Sequence, residues 1–270
     1  MLTNLETAIL QTNRISGTLP AFLGNLTRLK TLIFFNNLFS GSIPEALLSG
    51  ASLLGTLYLG GNDISGTIPT QIASLPLIDL RFEGCKLSGP LPSEIGSMSS
   101  LTILEAQENQ LTGTIPVSFF TNPSTRRLYL NANDLIGSIP TEIGLMTGIR
   151  DLRFGQNQLT GTLPPQLFQL PNLDTLSLRE NQLTGTLSPE FGLLAGSIRH
   201  IVLNNNDFRG PISTGFDALT NLNRLILHGN PQLTGTVSTT LCDEKGFGGR
   251  DLQNLTTPPS VSCRCCDLQV

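Results

Sequence analysis

Leucines recur along this chain at two alternating spacings. Pairs such as Leu57 and Leu59, or Leu176 and Leu178, flank a single intervening residue. That is the period-two pattern of a short strand with one buried face. An asparagine follows three residues later, then an apolar residue, a glycine and an Ile/Leu-Pro step, giving L-x-x-L-x-L-x-x-N-x-L-x-G-x-I-P. The asparagine column falls at Asn13, Asn37, Asn62, Cys85, Asn109, Asn133, Asn157, Asn181, Asn206 and Asn230. Steps of 23 to 25 residues separate its members, so ten units of about 24 residues fill most of the chain. A fixed period in this range predicts a stack of coils, each one supersecondary unit.

Each column has a physical reason. The asparagine is expected to point inward at the turn after the strand. There its amide, both donor and acceptor, satisfies backbone groups of neighbouring coils and fixes their register. Cys85 replaces one rung, and is read as a buried free thiol. The glycine suits a tight bend without a Cβ. The following Ile/Leu-Pro pair holds the backbone extended. Segments such as 140–148 and 164–172 then close each coil with a short helical or 3₁₀ turn. No unit can bury its own leucine face; stacking does it. With no polar-faced unit before it, the first coil is expected to expose apolar edges near Leu5 and Leu10.

This pattern resembles the leucine-rich repeat family, and more narrowly its plant-type subclass, whose repeat carries L-x-G-x-I-P. The resemblance covers roughly residues 5–238. Its G-x-[IL]-P element recurs seven times between Gly17–Pro20 and Gly161–Pro164. Later units depart: Ser188 and Ser213 stand where proline is expected, Val237-Ser238 ends the last unit, and the Asn230–Leu233 segment carries one extra residue. The resemblance implies an α/β solenoid: a right-handed superhelix with a concave parallel β-sheet, short second strands, and residues 1–240 as the repeat domain. Residues 241–270 are read as a cysteine-containing C-terminal cap.

Positions between the buried leucines face the concave side. One column reads Ile9, Ile33, Tyr58, Arg81, Glu105, Tyr129, Arg153, Ser177, Val202 and Ile226; its neighbour includes Phe35, Gly60, Glu83, Gln107, Arg179 and His228. Ile33, Phe35 and Tyr58 form an apolar-aromatic group. Arg81, Glu83, Glu105, Arg127, Tyr129, Arg153 and Arg179 form a mixed-charge centre. Exposed Tyr and Arg are enriched at binding hot spots, so these ten are the candidate ligand-binding residues. The plainer alternative is an ordinary solvated strand face with opposite charges paired across strands.

A second regular feature is a hydroxyl ladder. Thr18, Ser42, Thr67, Thr114, Ser138, Thr162, Thr186 and Thr236 precede the Ile/Leu/Val position, and Ser16, Ser40, Ser65, Ser88, Thr112, Thr160, Thr184 and Thr234 stand two residues before them. Such arrays order water or meet a flat surface; more commonly the hydroxyls cap turns and second-strand edges.

Composition narrows the function classes. Charged residues are only 13%, and the net charge is −4, with an isoelectric point near 5.2. Neither suits an electrostatic nucleic-acid binder. The three lysines (Lys30, Lys86, Lys245) supply no polybasic membrane patch, and no apolar run spans a bilayer. No leader segment precedes the first repeat, which points to an incomplete N-terminus. Walker, zinc-protease and nucleophile-elbow motifs are absent. His200 and His228 fall roughly 13 Å apart along the strand direction, too far to share a metal. Glu83 and Glu105 are the nearest thing to paired carboxylates, with no cleft implied. No enzyme and no cofactor is therefore expected.

Cys242, Cys263, Cys265 and Cys266 are disulfide candidates whose pairing the sequence leaves open; adjacent Cys265 and Cys266 chelate one zinc poorly. Asn25 and Asn254 lie in N-x-[ST] sequons. With the cysteines these favour an extracellular or cell-surface location. The leading expectation is a protein- or peptide-recognition scaffold, an ectodomain or part of one. Alternatives are a secreted inhibitor of cell-wall-degrading enzymes, with a carbohydrate-active enzyme as partner, and an ice- or surface-binding protein.

Overall fold

The computed structural model describes residues 4–242 and 255–262. The chain divides into two compact units, residues 1–135 and 136–270. In the first unit, Thr7–Ile9, Thr31–Ile33, Thr56–Tyr58, Asp79–Arg81, Ile103–Glu105 and Arg127–Tyr129 pair in chain order as a parallel sheet. A second parallel sheet takes Ser16–Thr18, Leu38–Gly41, Asp63–Gly66, Lys86–Pro90 and Gln110–Thr114. The second unit repeats the plan. Its first sheet orders Asp151–Arg153, Thr175–Ser177, His200–Val202, Arg224–Ile226 and Leu255–Thr256. Residues 255–256, beyond the periodic stretch, thus add one more strand. Its second sheet runs from residues 136–138 through Gln158–Thr162, Gln182–Thr186 and Asp207–Pro211 to Gln232–Thr234.

Short 3₁₀ or α turns follow the proline of most coils, for instance Glu45–Gly50, Thr141–Leu145 and Pro165–Gln169. Pro44, Pro140 and Pro164 hold extended backbone just before these turns, as the fixed φ of proline requires. Between the sheets and the turns lies the leucine core: Leu57, Leu59, Leu80, Leu104, Leu176 and Leu178 are fully buried. The second unit adds an aromatic run that periodicity did not announce. Phe168, Phe191 and Phe216 pack in succession, with ring centroids 4.6 and 4.9 Å apart.

The asparagine ladder forms as its amide chemistry predicts. Asn62 Nδ2 donates to the carbonyls of Leu59 (2.8 Å), Phe34 (3.0 Å) and Gly60 (3.2 Å), and Oδ1 accepts from Phe39 N (3.0 Å). Asn181 repeats this in the second unit with Leu178, Phe154, Arg179 and Leu159. Cys85 Sγ stands 3.5 Å from Leu59 O. It is a buried free thiol, its pKa pushed up to about 11 by burial. The residue before each rung adopts positive φ, including Thr12, Asn36, Glu108, Ala132, Gln156, Glu180 and Asn205. Left-handed backbone at non-glycine residues is costly, so the ladder's own bonds are what hold it there.

The first coil is open, as expected. Ile9, Leu10 and Phe22 are 54%, 40% and 61% exposed and line an apolar cavity of about 760 Å³ with Leu5, Ile15 and Phe34. The side chains of Cys242, Cys263, Cys265 and Cys266, and the sequon at Asn254, lie outside the described residues. Asn25 is exposed at the end of a 3₁₀ turn. No described helix is long and apolar enough to cross a membrane.

Candidate functional site

Strand alternation decides which side chains face out. In the first unit the register aligns Ile33, Tyr58, Arg81, Glu105 and Tyr129 in one column and Thr56, Asp79, Ile103 and Arg127 in the next. Asp79 organises the centre. It accepts from Tyr58 Oη at 2.7 Å and takes both Nε and Nη2 of Arg81 at 2.8 Å. The Arg81 guanidinium lies 4.5 Å from the Tyr58 ring centroid, and Arg127 lies 5.4 Å from that of Tyr129. Glu105 is buried between the two arginines, with Oε1 at 2.9 Å from Arg127 Nη1 and 3.5 Å from Arg81 Nη1. Each cation therefore stands over an aromatic face and beside a carboxylate, an arrangement that fixes its orientation.

These contacts shift the groups involved. Burial, then the hydrogen bond to Asp79, pushes the Tyr58 hydroxyl up to about 12. The hydrogen bonds to Asp79 hold Arg81 above its ordinary value. Glu83 is the outlier among the carboxylates. Burial, reinforced by the charge of Glu105, pushes it up to about 7.

Ile33 and Phe35 are half-buried near the open end of this face. The second unit has its own charged face. Arg153 makes a two-point pair with Asp151 of the same strand, both contacts at 2.9 Å. Arg179 reaches Gln156 at 3.0 Å and Glu180 at 3.2 Å. Arg199 pairs with Asp174, which also stands 3.6 Å from His200. Of the ten candidate residues, Tyr58, Arg81, Glu105, Arg127 and Tyr129 are joined in one network. Ile33, Phe35 and Glu83 lie on the same unit outside it, and Arg153 and Arg179 sit in the second unit.

Sequence reasoning missed Asp79, the hub. The first position of the same strands carries it, and an Asp-x-Arg spacing on one strand face was the available signal. It also read Glu83 and Glu105 as surface carboxylates, whereas Glu105 is buried and one Glu83 oxygen is shut off from solvent. The second sheet bears out the ordinary role of the hydroxyls in part. Ser40, Thr160 and Thr184 donate to the glycine carbonyl of the preceding coil.

Comparison with known proteins accords with this architecture. The Leucine Rich Repeat family model matches residues 53–75 and 172–194. Each unit has the leucine-rich repeat fold, and the chain is similar to plant leucine-rich repeat proteins. Pollen receptor-like kinase 2 of Arabidopsis thaliana is 34% identical over 121 residues, covering 44% of this chain and 18% of that protein. Among solved structures, the Arabidopsis receptor kinase HAESA in complex with the peptide hormone IDA and the co-receptor SERK1 superposes with a TM-score of 0.85 at 28% identity, over 98% of this chain and 43% of that one. A plant ice-binding protein matches at TM-score 0.74 and 27% identity, over 94% of this chain and 82% of the other. The chain therefore spans about half or less of the receptors it resembles.

Proposed function

We propose that this chain is a non-catalytic recognition scaffold, extracellular or at the cell surface, which binds a protein or peptide ligand through the first-sheet face of its first unit. The observation that carries this reading is the Tyr58–Asp79–Arg81–Glu105–Arg127–Tyr129 network. Tyr and Arg are the residue types that dominate binding energies when held rigidly, and here short parallel strands and carboxylate partners hold them. Pre-ordering of this kind lowers the entropy lost on binding. Receptor relatives, one solved with a peptide hormone, support the same reading by likeness. The test is affinity for a peptide selected on the intact protein. Tyr129→Ala is expected to weaken it at least about tenfold, the scale of a hot-spot residue, with the melting temperature nearly unchanged. Unaltered affinity would place the ligand elsewhere.

A second reading has its own observation. In the second unit Thr160, Thr162, Thr184 and Thr186 are all exposed on neighbouring strands of the second sheet. Their spacing is roughly 4.8 Å between strands and about 7 Å along them. A repeating hydroxyl grid suits a repeating surface such as ice, and the chain covers most of the plant ice-binding protein it resembles. Inhibition of ice recrystallisation that is lost in Thr162→Lys/Thr184→Lys would support this reading, and no inhibition by the wild type would remove it.

A further inference from the structure

One carboxylate on the first-unit face is left out of the network around it. Asp79 and Glu105 hold Arg81 and Arg127, so the two cations of the centre are engaged. Glu83 forms no ion pair among the described residues, and its Oε2 is buried without a hydrogen-bond partner. The reason lies in the column to which it belongs. Hydrogen bonds from Asn36 N to Gly60 O (2.9 Å) and from Gly61 N to Glu83 O (2.8 Å) align Phe35, Gly60 and Glu83 on successive coils. A Cβ at Gly60 would fall 2.5 Å from the Glu83 carboxyl carbon and 2.6 Å from Oε2. The carboxyl therefore lies folded in the notch that glycine leaves, beyond which stands half-buried Phe35. One coil further on, Gln107 Oε1 is also buried without a partner; Gly84 N donates to the Gln107 carbonyl at 3.0 Å, which fixes the two residues on adjacent rungs.

A buried acceptor without a donor is destabilising, and a charged one more so. Of the three carboxyl groups of this patch, Asp79 and Glu105 are engaged by the two arginines, and Glu83 is not. We propose that Glu83 in the Gly60 notch, with Gln107 beside it, is the receiving point for a lysine or arginine side chain of a peptide ligand. The aliphatic stem of such a side chain packs on apolar surface while its head supplies several donors, which matches an aromatic neighbour and two unsatisfied acceptors. This inference rests on the recognition reading above and names the chemistry of its ligand.

The test uses the whole chain and a synthetic library of N-acetylated, C-amidated dodecapeptides, so that cations come only from side chains. Peptides retained by the wild type and by Glu83→Gln are sequenced. The wild type is expected to enrich Lys or Arg at one position about tenfold or more, in line with a hydrogen bond to a charged group. Glu83→Gln, isosteric and uncharged, is expected to lose that preference while still retaining peptides. Carboxyl NMR supplies a second readout: the Glu83 resonance should titrate at lower pH with a retained peptide bound, and not with its norleucine analogue. Retention without a Lys/Arg preference, or a preference that survives Glu83→Gln, overturns the cation site and leaves the recognition reading standing. No retention by the wild type removes the recognition reading, and this inference with it.

Discussion

The two sheets are built from the same repeat yet present opposite kinds of surface. On the first sheet the outward residues of the charged centre change from coil to coil: Tyr58, Arg81, Glu105 and Tyr129 succeed one another in a single column. On the second sheet hydroxyl residues recur, Thr160 and Thr162 on one strand and Thr184 and Thr186 on the next, with Thr162 beside Thr184. Inside, both rest on the same leucines and the same asparagine ladder. The difference shows how a solenoid separates tasks. Interior columns are constrained because each coil must dock on the next, and outward columns are released from that constraint. A varied column can select one ligand by a particular set of contacts. A uniform column can meet only something that repeats.

That separation predicts a graded set of effects. The largest belong to the shared interior. Phe191→Ala, within the aromatic run of the second unit, should cost roughly 3–5 kcal/mol, read as a loss in chemical denaturation and felt on both faces. Asn181→Ala should cost about 1–3 kcal/mol, since it strands buried backbone groups now satisfied by the amide. If it proved neutral, the ladder would be decoration rather than support. The converse change, Cys85→Asn, restores a rung and should stabilise by about 1 kcal/mol.

Smaller effects should divide the faces. Glu83 holds its proton to about pH 7 in the fold, against an ordinary 4.5. Between those values the folded state binds more proton than the unfolded, so stability should fall as pH rises through that window. Glu105 and Asp79 add to the rise and Arg81 opposes it. Because Glu83 is partly solvated, the penalty at pH 8 should be on the order of 1 kcal/mol. Glu83→Gln should erase it, so melting temperatures of the two proteins should differ more at pH 8 than at pH 5. Thr162→Val, on the uniform face, should change stability by less than about 0.5 kcal/mol at any pH.

Much of this architecture was legible in the order of residues. Leu-x-Leu spacing located the strands, and the Asn column located the rungs, because both follow from backbone geometry repeated at fixed period. The site was legible only in part. Tyr58, Arg81 and Tyr129 could be assigned to the outward face by alternation alone. Which carboxylate would pair with which arginine could not, since that depends on side-chain reach across coils. Asp79 was hard to single out because its column mixes Thr31, Thr56, Ile103 and Arg127 with no regular pattern. Glu83 looked like a surface residue because the notch that shelters it comes from Gly60, a residue of the preceding coil with no side chain to read. Left-handed residues such as Ala132 and Gln156 gave no signal, being unlike the glycine or asparagine that stands before other rungs at Gly61, Asn36 and Asn205.

The central claim is that recognition belongs to the varied face and not to the uniform one. The most direct measurement is retention of the dodecapeptide library by two double variants, each with its melting temperature checked. Tyr58→Ala/Tyr129→Ala should lose at least about tenfold in retention, while Thr162→Lys/Thr184→Lys should match the wild type. Full retention by the first variant, or loss confined to the second, would contradict the account.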